Sequence, residues 1–171
     1  MRGRRVPALV GVTATVLALT ACTHGTRHGS VSGCGNPTAT ASTRQPKPIG
    51  ATGAPRVGPF TFHPYPYRRG YPTKMVIHAV ARQPRPFVLR GYRCSDALAL
   101  RFRYDQGAPE RPGPFSASAL EAQGVEAQTL APITAGGDHT GYVLPTGTGD
   151  WLVVVGQAGA TVGTLRLDVE S

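Results

Sequence analysis

The sequence predicts an all-β domain, an antiparallel two-sheet sandwich that is immunoglobulin-like, behind a long N-terminal segment that does not belong to the fold. Three observations carry this expectation. Short segments with period-two alternation recur from residue 57 to the C-terminus, as half-buried strands require. Turn-forming residues separate them at the spacing of an all-β chain, with 22 Gly and 16 Pro among 171 residues. After residue 55 the one stretch with helical character is Ser116 to Ala122, which lies in a long connection. Seven or eight short strands in about 115 residues suit a single compact domain built as two packed sheets.

Taken in chain order, the expected strands are Val57 to Phe62, Lys74 to Ala81, Pro86 to Tyr92, Leu98 to Tyr104, Ala127 to Leu130, Thr140 to Leu144, Asp150 to Val155 and Thr161 to Val169. Met75 to Val80 is apolar on both faces apart from His78, which predicts a central strand. Leu98, Leu100, Phe102 and Tyr104 fall on one face and Ala99, Arg101 and Arg103 on the other, which predicts a half-buried strand with an arginine-bearing outer side. Trp151, Val153 and Val155 share a face, so the sole tryptophan is expected in the core. Leu165, Leu167 and Val169 point inward in the last strand, with Thr164, Arg166, Asp168 and Glu170 outward.

The start of the chain has a different logic. Arg2, Arg4 and Arg5 precede an apolar run from Val6 to Leu19, and small residues follow. These are the parts of a secretory signal, and the run is too short to span a bilayer comfortably. The run ends in Leu19-Thr20-Ala21-Cys22, which resembles the lipobox of bacterial lipoproteins. The resemblance implies cleavage before Cys22, lipidation of Cys22, and anchoring on the extracytoplasmic side of the cell membrane; an ordinary signal peptide or a transmembrane anchor are the alternatives. Residues 1–21 then form the signal, residues 22–55, dominated by Thr, Ser, Gly, Pro and Ala, a flexible tether, and residues 56–171 the sandwich.

With Cys22 assigned to lipid, Cys34 and Cys94 form the one possible disulfide pair, and an exported compartment permits it. Closing a loop of about 60 residues would contribute roughly 4 kcal/mol on the chain-entropy model. Two free thiols are the alternative.

The net charge of +9 is unevenly spread. Between Arg44 and Arg103 there are twelve Lys or Arg and one acid, Asp96, whereas from Tyr104 to Ser171 there are eight acids and two bases, Arg111 and Arg166. The halves either pair when folded or leave a basic face for anionic envelope polymers or lipid headgroups. Nucleic acid is not an expected partner outside the cytoplasmic membrane.

Asp138-His139-Thr140-Gly141-Tyr142 is similar to the tyrosine corner of immunoglobulin-type sandwiches, with an unusual spacing. Over about thirty residues, a Gly141-Tyr142 strand followed by Gly149-Asp150-Trp151 also resembles small secreted lipoproteins of high-GC bacteria. That likeness implies a sandwich and no activity.

Catalytic and metal chemistry find little support in the sequence. His24, His28, His63, His78 and His139 are scattered, and the spacing around Cys94 lacks the nearby His and Met of a blue-copper site. Ser95 adjoins Asp96 but has no nucleophile-elbow context and reads as a turn. The acids give no paired-carboxylate signature, and no glycine loop is followed by the helix or lysine of a phosphate cradle. We therefore expect no enzyme activity, no cofactor and no metal. Phe60 to Pro72 is the distinctive segment. Tyr65, Tyr67 and Tyr71 alternate with prolines and enclose Arg68 and Arg69, offering aromatic platforms beside fixed positive charge. This is the candidate binding site, for an anionic cell-wall polymer or an envelope protein; the alternative is that these tyrosines pack against their own domain.

Overall fold

Segments that alternate in sequence pair as two sheets around one core. The computed structural model describes residues 33–41, 54–63, 65–104 and 116–171. In chain order the elements are β1 (Ala39–Ala41), β2 (Arg56–Val57), β3 (Phe60–Phe62), β4 (Tyr67–Arg68), β5 (Thr73–Ala79), β6 (Phe87–Arg93), β7 (Arg101–Tyr104), α1 (Ala117–Gln123), β8 (Ala127–Leu130), β9 (Asp138–Leu144), β10 (Gly149–Gln157) and β11 (Ala160–Glu170). One sheet runs β1-β11-β10-β6-β8 with β4 also paired to β11, and the other runs β2-β3-β5-β9-β7. Pairing is antiparallel except for β1 and β4, which both join β11 in parallel.

The inner faces supply a shared core. Trp151, Val153, Val155, Leu165, Leu167 and Val169 come from one sheet and Phe60, Phe62, Met75, Ile77, Phe102 and Val143 from the other. The apolar strand expected at the centre is β5, flanked by β3 and β9. Its outward Val76 is also buried. Alternation thus sets the inward faces of β10 and β11 as the sequence implies. Ser116 caps α1 by accepting a hydrogen bond from the Ala119 amide at 3.2 Å. The helix packs against β7 and β9 and buries Leu120 outside the main core.

Four expectations need correction. Val57 to Phe62 is a hairpin, β2 and β3, turning at Gly58-Pro59, rather than one strand. Leu98 is 41% exposed, because Cys94 to Leu98 forms a turn in which Arg93 N–H donates to Leu98 O at 2.8 Å and Ala97 takes a φ of 60°. The inward alternation starts only at Leu100. Tyr142 is no tyrosine corner: it sits in the middle of β9, between Lys74 and Arg103 on the neighbouring strands, whereas a corner tyrosine stands near the start of a strand. The fourth concerns the tether. Ala39–Ala41 pairs with Leu165–Leu167, so part of residues 22–55 belongs to the folded body.

The disulfide explains how three small residues hold a strand position. Cys34 is bonded to Cys94, with Cα atoms 5.9 Å apart, at the end of β6. From there the chain crosses β10 and β11 to reach β1 at the sheet edge. Thr38 fastens the crossing, donating N–H to Thr164 Oγ1 at 3.1 Å and accepting from Thr164 N–H at 3.0 Å. Gly33 lies against Leu152, and a Cβ there would stand 3.3 Å from Leu152 Cδ2. Leu152 faces away from the core yet is fully buried. The strap therefore covers an apolar side chain on the outer face of the six-stranded sheet.

Candidate functional site

The connections at the disulfide end of the sandwich converge through main-chain hydrogen bonds. Cys94 N–H donates to Asp150 O at 2.8 Å, Arg69 N–H to Glu170 O at 2.9 Å, and Gly70 N–H to Pro145 O at 2.8 Å. The last bond ties the loop between β4 and β5, which passes from one sheet to the other, onto the loop between β9 and β10. Residues 68–71 form a tight turn closed by Tyr71 N–H to Arg68 O at 3.2 Å. Gly70 supplies the positive φ, 73°, that this turn requires. The geometry pushes Arg68, Arg69 and Tyr71 into solvent, and Tyr71 is 68% exposed. Neither arginine has an acidic partner among the described residues.

At the same end lies Leu98, the last residue of the turn that follows β6. Leu98, Ala99, Arg101, Glu121, Glu126 and Thr146 line a shallow cleft of about 200 Å³, so Thr146 bridges from Leu98 to Pro145 and thence to Gly70. Three acids at this end are engaged in ion pairs, whereas Glu121 and Glu170 are exposed. Asp96 takes the Arg93 guanidinium, with Nε to Oδ1 at 2.8 Å, and this bond holds the Arg93 pKa above its usual range. Glu126 pairs with Arg101 at 3.1 Å, and Asp150 pairs with Arg166. Gly147 is pinned from two directions. Its carbonyl accepts from Trp151 Nε1 at 3.0 Å, and the Arg93 guanidinium fills the space where a side chain would stand.

The five residues predicted from the sequence do not form one surface. Tyr67 is fully buried in the core, and its hydroxyl has no hydrogen-bond partner; burial first, and then the neighbouring Tyr65, push its pKa far above the usual phenol range. It is unavailable to any ligand in the folded state, which corrects its assignment as a platform. Tyr65 is half-buried and meets His63 edge to face, with centroids 4.6 Å apart. His63 has its pKa lowered by burial and by the Lys74 charge. Arg68, Arg69 and Tyr71 remain together at the disulfide end. Sequence reasoning missed Leu98 there, since it placed that side chain inside.

The opposite-charge halves pair only in part. Arg101 with Glu126 and His78 with Asp138, at 2.7 Å, join the two halves; Arg93 with Asp96 and Arg166 with Asp150 stay within one half each. Arg56, Arg68, Arg69, Arg82, Arg85 and Arg90 are exposed and lack an acidic partner among the described residues. No group of three metal-ligating side chains occurs among the described residues, and no helix among them is long and apolar enough to cross a membrane. Cys22 lies outside the described residues.

No protein-family model matches the chain, and no curated protein matches it in sequence. Among solved structures it is similar to one described as "a Putative Lipoprotein from Bacillus anthracis", at 7% identity and a TM-score of 0.47, over 76% of this chain and 88% of that one. A likeness at that score and identity assigns neither family nor activity.

Proposed function

We propose that the protein is a lipid-anchored cell-envelope protein, attached through Cys22 to the outer side of the cytoplasmic membrane. In this reading it carries a non-catalytic, accessory sandwich that meets anionic material of the envelope. The observation that carries the reading is the Leu19-Thr20-Ala21-Cys22 sequence directly after the apolar run. The Cys34–Cys94 disulfide is consistent with it, because such bonds persist in exported proteins. The sandwich itself we read as immunoglobulin-like. The order β3-β5-β9-β7 against β11-β10-β6-β8 parallels the ABED and GFC arrangement, with a C′-like strand beside C. Here β7 and β8 come in the reverse chain order of C′ and D, and the tryptophan sits on the F-like β10 rather than on C.

The anionic-polymer version of the binding reading loses its stacked aromatic platform, since Tyr67 is in the core. What supports an anionic ligand is the unpaired, exposed charge of Arg68 and Arg69 beside Tyr71. The anchor is tested by labelling cells that express the protein with an alkyne fatty acid, beside a Cys22→Ser variant. Label and membrane association in the native chain, both absent in the variant, support the anchor. Equal, unlabelled recovery of both in the soluble fraction overturns it.

A further inference from the structure

We infer that the disulfide end of the sandwich docks onto the bilayer itself, with Arg68 and Arg69 on the phosphates of anionic phospholipid headgroups and Tyr71 and Leu98 at the interface. The inference rests on the lipid-anchored reading and names the partner of that same surface.

The length of the leash chooses the end. Counting the fold from residue 56 would leave 34 residues after Cys22, a contour of about 120 Å. The disulfide and β1 move the attachment point forward to Cys34, twelve residues from the lipid-bearing cysteine. Twelve residues span at most about 43 Å even when fully extended. The sandwich is about 36 Å long, judged from the eleven residues of β11. Only a leash drawn nearly to its full contour would let the opposite end reach the membrane, so at every shorter extension the attached end faces it.

That end carries the matching chemistry. Arg68 and Arg69 protrude on a turn fixed by two main-chain bonds, Gly70 N–H to Pro145 O and Tyr71 N–H to Arg68 O. Tyr71 and Leu98 are two of the four large apolar side chains exposed among the described residues. A tyrosine ring with a polar tip suits the headgroup layer, and arginine forks suit phosphate. The nearby acids Asp96, Glu126 and Asp150 are paired with Arg93, Arg101 and Arg166, while Arg68 and Arg69 stand exposed on the turn, with the exposed Glu170 as the ladder partner of Arg68 and the exposed Glu121 in the cleft with Leu98. Charge alone would not choose an end, for Arg82 and Arg85 are exposed in the β5–β6 connection at the opposite end. The leash makes the distinction.

The experiment uses the full lipidated chain reconstituted in vesicles of phosphatidylglycerol and phosphatidylcholine, or of phosphatidylcholine alone, with amide hydrogen exchange as the readout. On anionic vesicles, exchange at residues 68–71 and 95–98 is expected to slow by at least about five-fold relative to neutral ones, given the attraction of each arginine near such a surface. An Arg68→Glu/Arg69→Glu variant is expected to abolish the difference, while the β10–β11 hairpin at the far end exchanges alike in every case. Identical exchange on both vesicles, or protection at the far hairpin, overturns the proposal. So does protection by soluble polyphosphate on neutral vesicles without protection by phosphatidylglycerol, which assigns the surface to a polymer. Flotation with neutral vesicles reports the lipid anchor separately: its loss overturns the anchored reading, whereas flotation without the exchange difference overturns only the docking.

Discussion

The ring of Tyr104 occupies the space that a side chain on Gly141 would fill. The two residues are direct partners across β7 and β9, and a Cβ on Gly141 would come within 2.4 Å of Tyr104 Cγ. The aromatic ring thus covers a strand glycine and seals the edge of the core, where Tyr104 is 6% exposed. Gly141→Ala is expected to destabilise the fold by about 1–3 kcal/mol, the usual cost of forcing extra volume into a packed site. Urea unfolding followed by the buried tryptophan measures it. An unchanged midpoint would mean that Tyr104 yields freely, contrary to its burial.

Cys34→Ser, or Cys94→Ser, is expected to cost about 2–4 kcal/mol, as for closure of a long loop. The loss has a spatial signature. Residues 34–41 are held by the disulfide, the Thr38–Thr164 bonds and three ladder positions, so removing the first should free the strap and uncover Leu152. Faster amide exchange confined to residues 36–41 and to the adjoining edge of β11 would show this. Uniform acceleration across both sheets would show instead that the bond supports the whole fold equally.

Most of the sandwich is legible as alternation, and the failures have physical causes. Leu165, Leu167 and Val169 face inward because nothing interrupts the pleat of β11, whereas Leu98 shares the parity of Leu100 but is itself the last residue of the Cys94–Leu98 turn, just after Ala97 in the left-handed region. Parity does not survive a turn. Tyr65 and Tyr67 likewise share parity, yet the chain between them leaves the β3 side of the sandwich and joins β11 through β4. One tyrosine stays at the surface and the other enters the core. Strand β1 was invisible because Ala-Thr-Ala has no apolar signature; its place comes from a covalent bond to a residue 60 positions away. Within the candidate site, the exposure of Arg68 and Arg69 follows from their charge, but their placement at the same end as Leu98 and the disulfide depends on the main-chain contacts between loops, such as Gly70 N–H to Pro145 O.

The β10–β11 hairpin invites a stabilising change. Ala158 and Gly159 both adopt positive φ, 52° and 81°, as a two-residue turn of the type I′ kind requires. Alanine is strained there, and Asn-Gly is the preferred pair. Ala158→Asn is expected to raise stability by up to about 1 kcal/mol, since the left-handed conformation costs most L-residues about 1–2 kcal/mol and asparagine less. A higher urea midpoint with an unchanged slope would bear this out; a lower one would indicate that the alanine methyl makes a contact worth more than the strain.

Tyr67 and Tyr104 are both buried with hydroxyls that lack hydrogen-bond partners, and burial, followed by the electrostatic influence of a neighbouring tyrosine, raises both pKa values well above the usual phenol value. The folded state therefore holds these protons more tightly than the unfolded chain does. Their contribution to stability is fully present below the unfolded phenol pKa, about 10, and is lost as pH rises beyond it, because the unfolded chain ionises first. Urea midpoints are expected to be flat in this respect from pH 8 to about 10 and to fall above it. Of the six tyrosines, these two should resist ionisation, read by absorbance near 295 nm, until the protein unfolds. Tyr67→Phe removes an unsatisfied buried hydroxyl, whose burial costs about 1–3 kcal/mol. That variant should be at least as stable as the native chain at neutral pH and should lose stability less steeply above pH 10. A clear loss at neutral pH would mean that the Tyr67 hydroxyl has a hydrogen-bond partner in solution, such as an internal water.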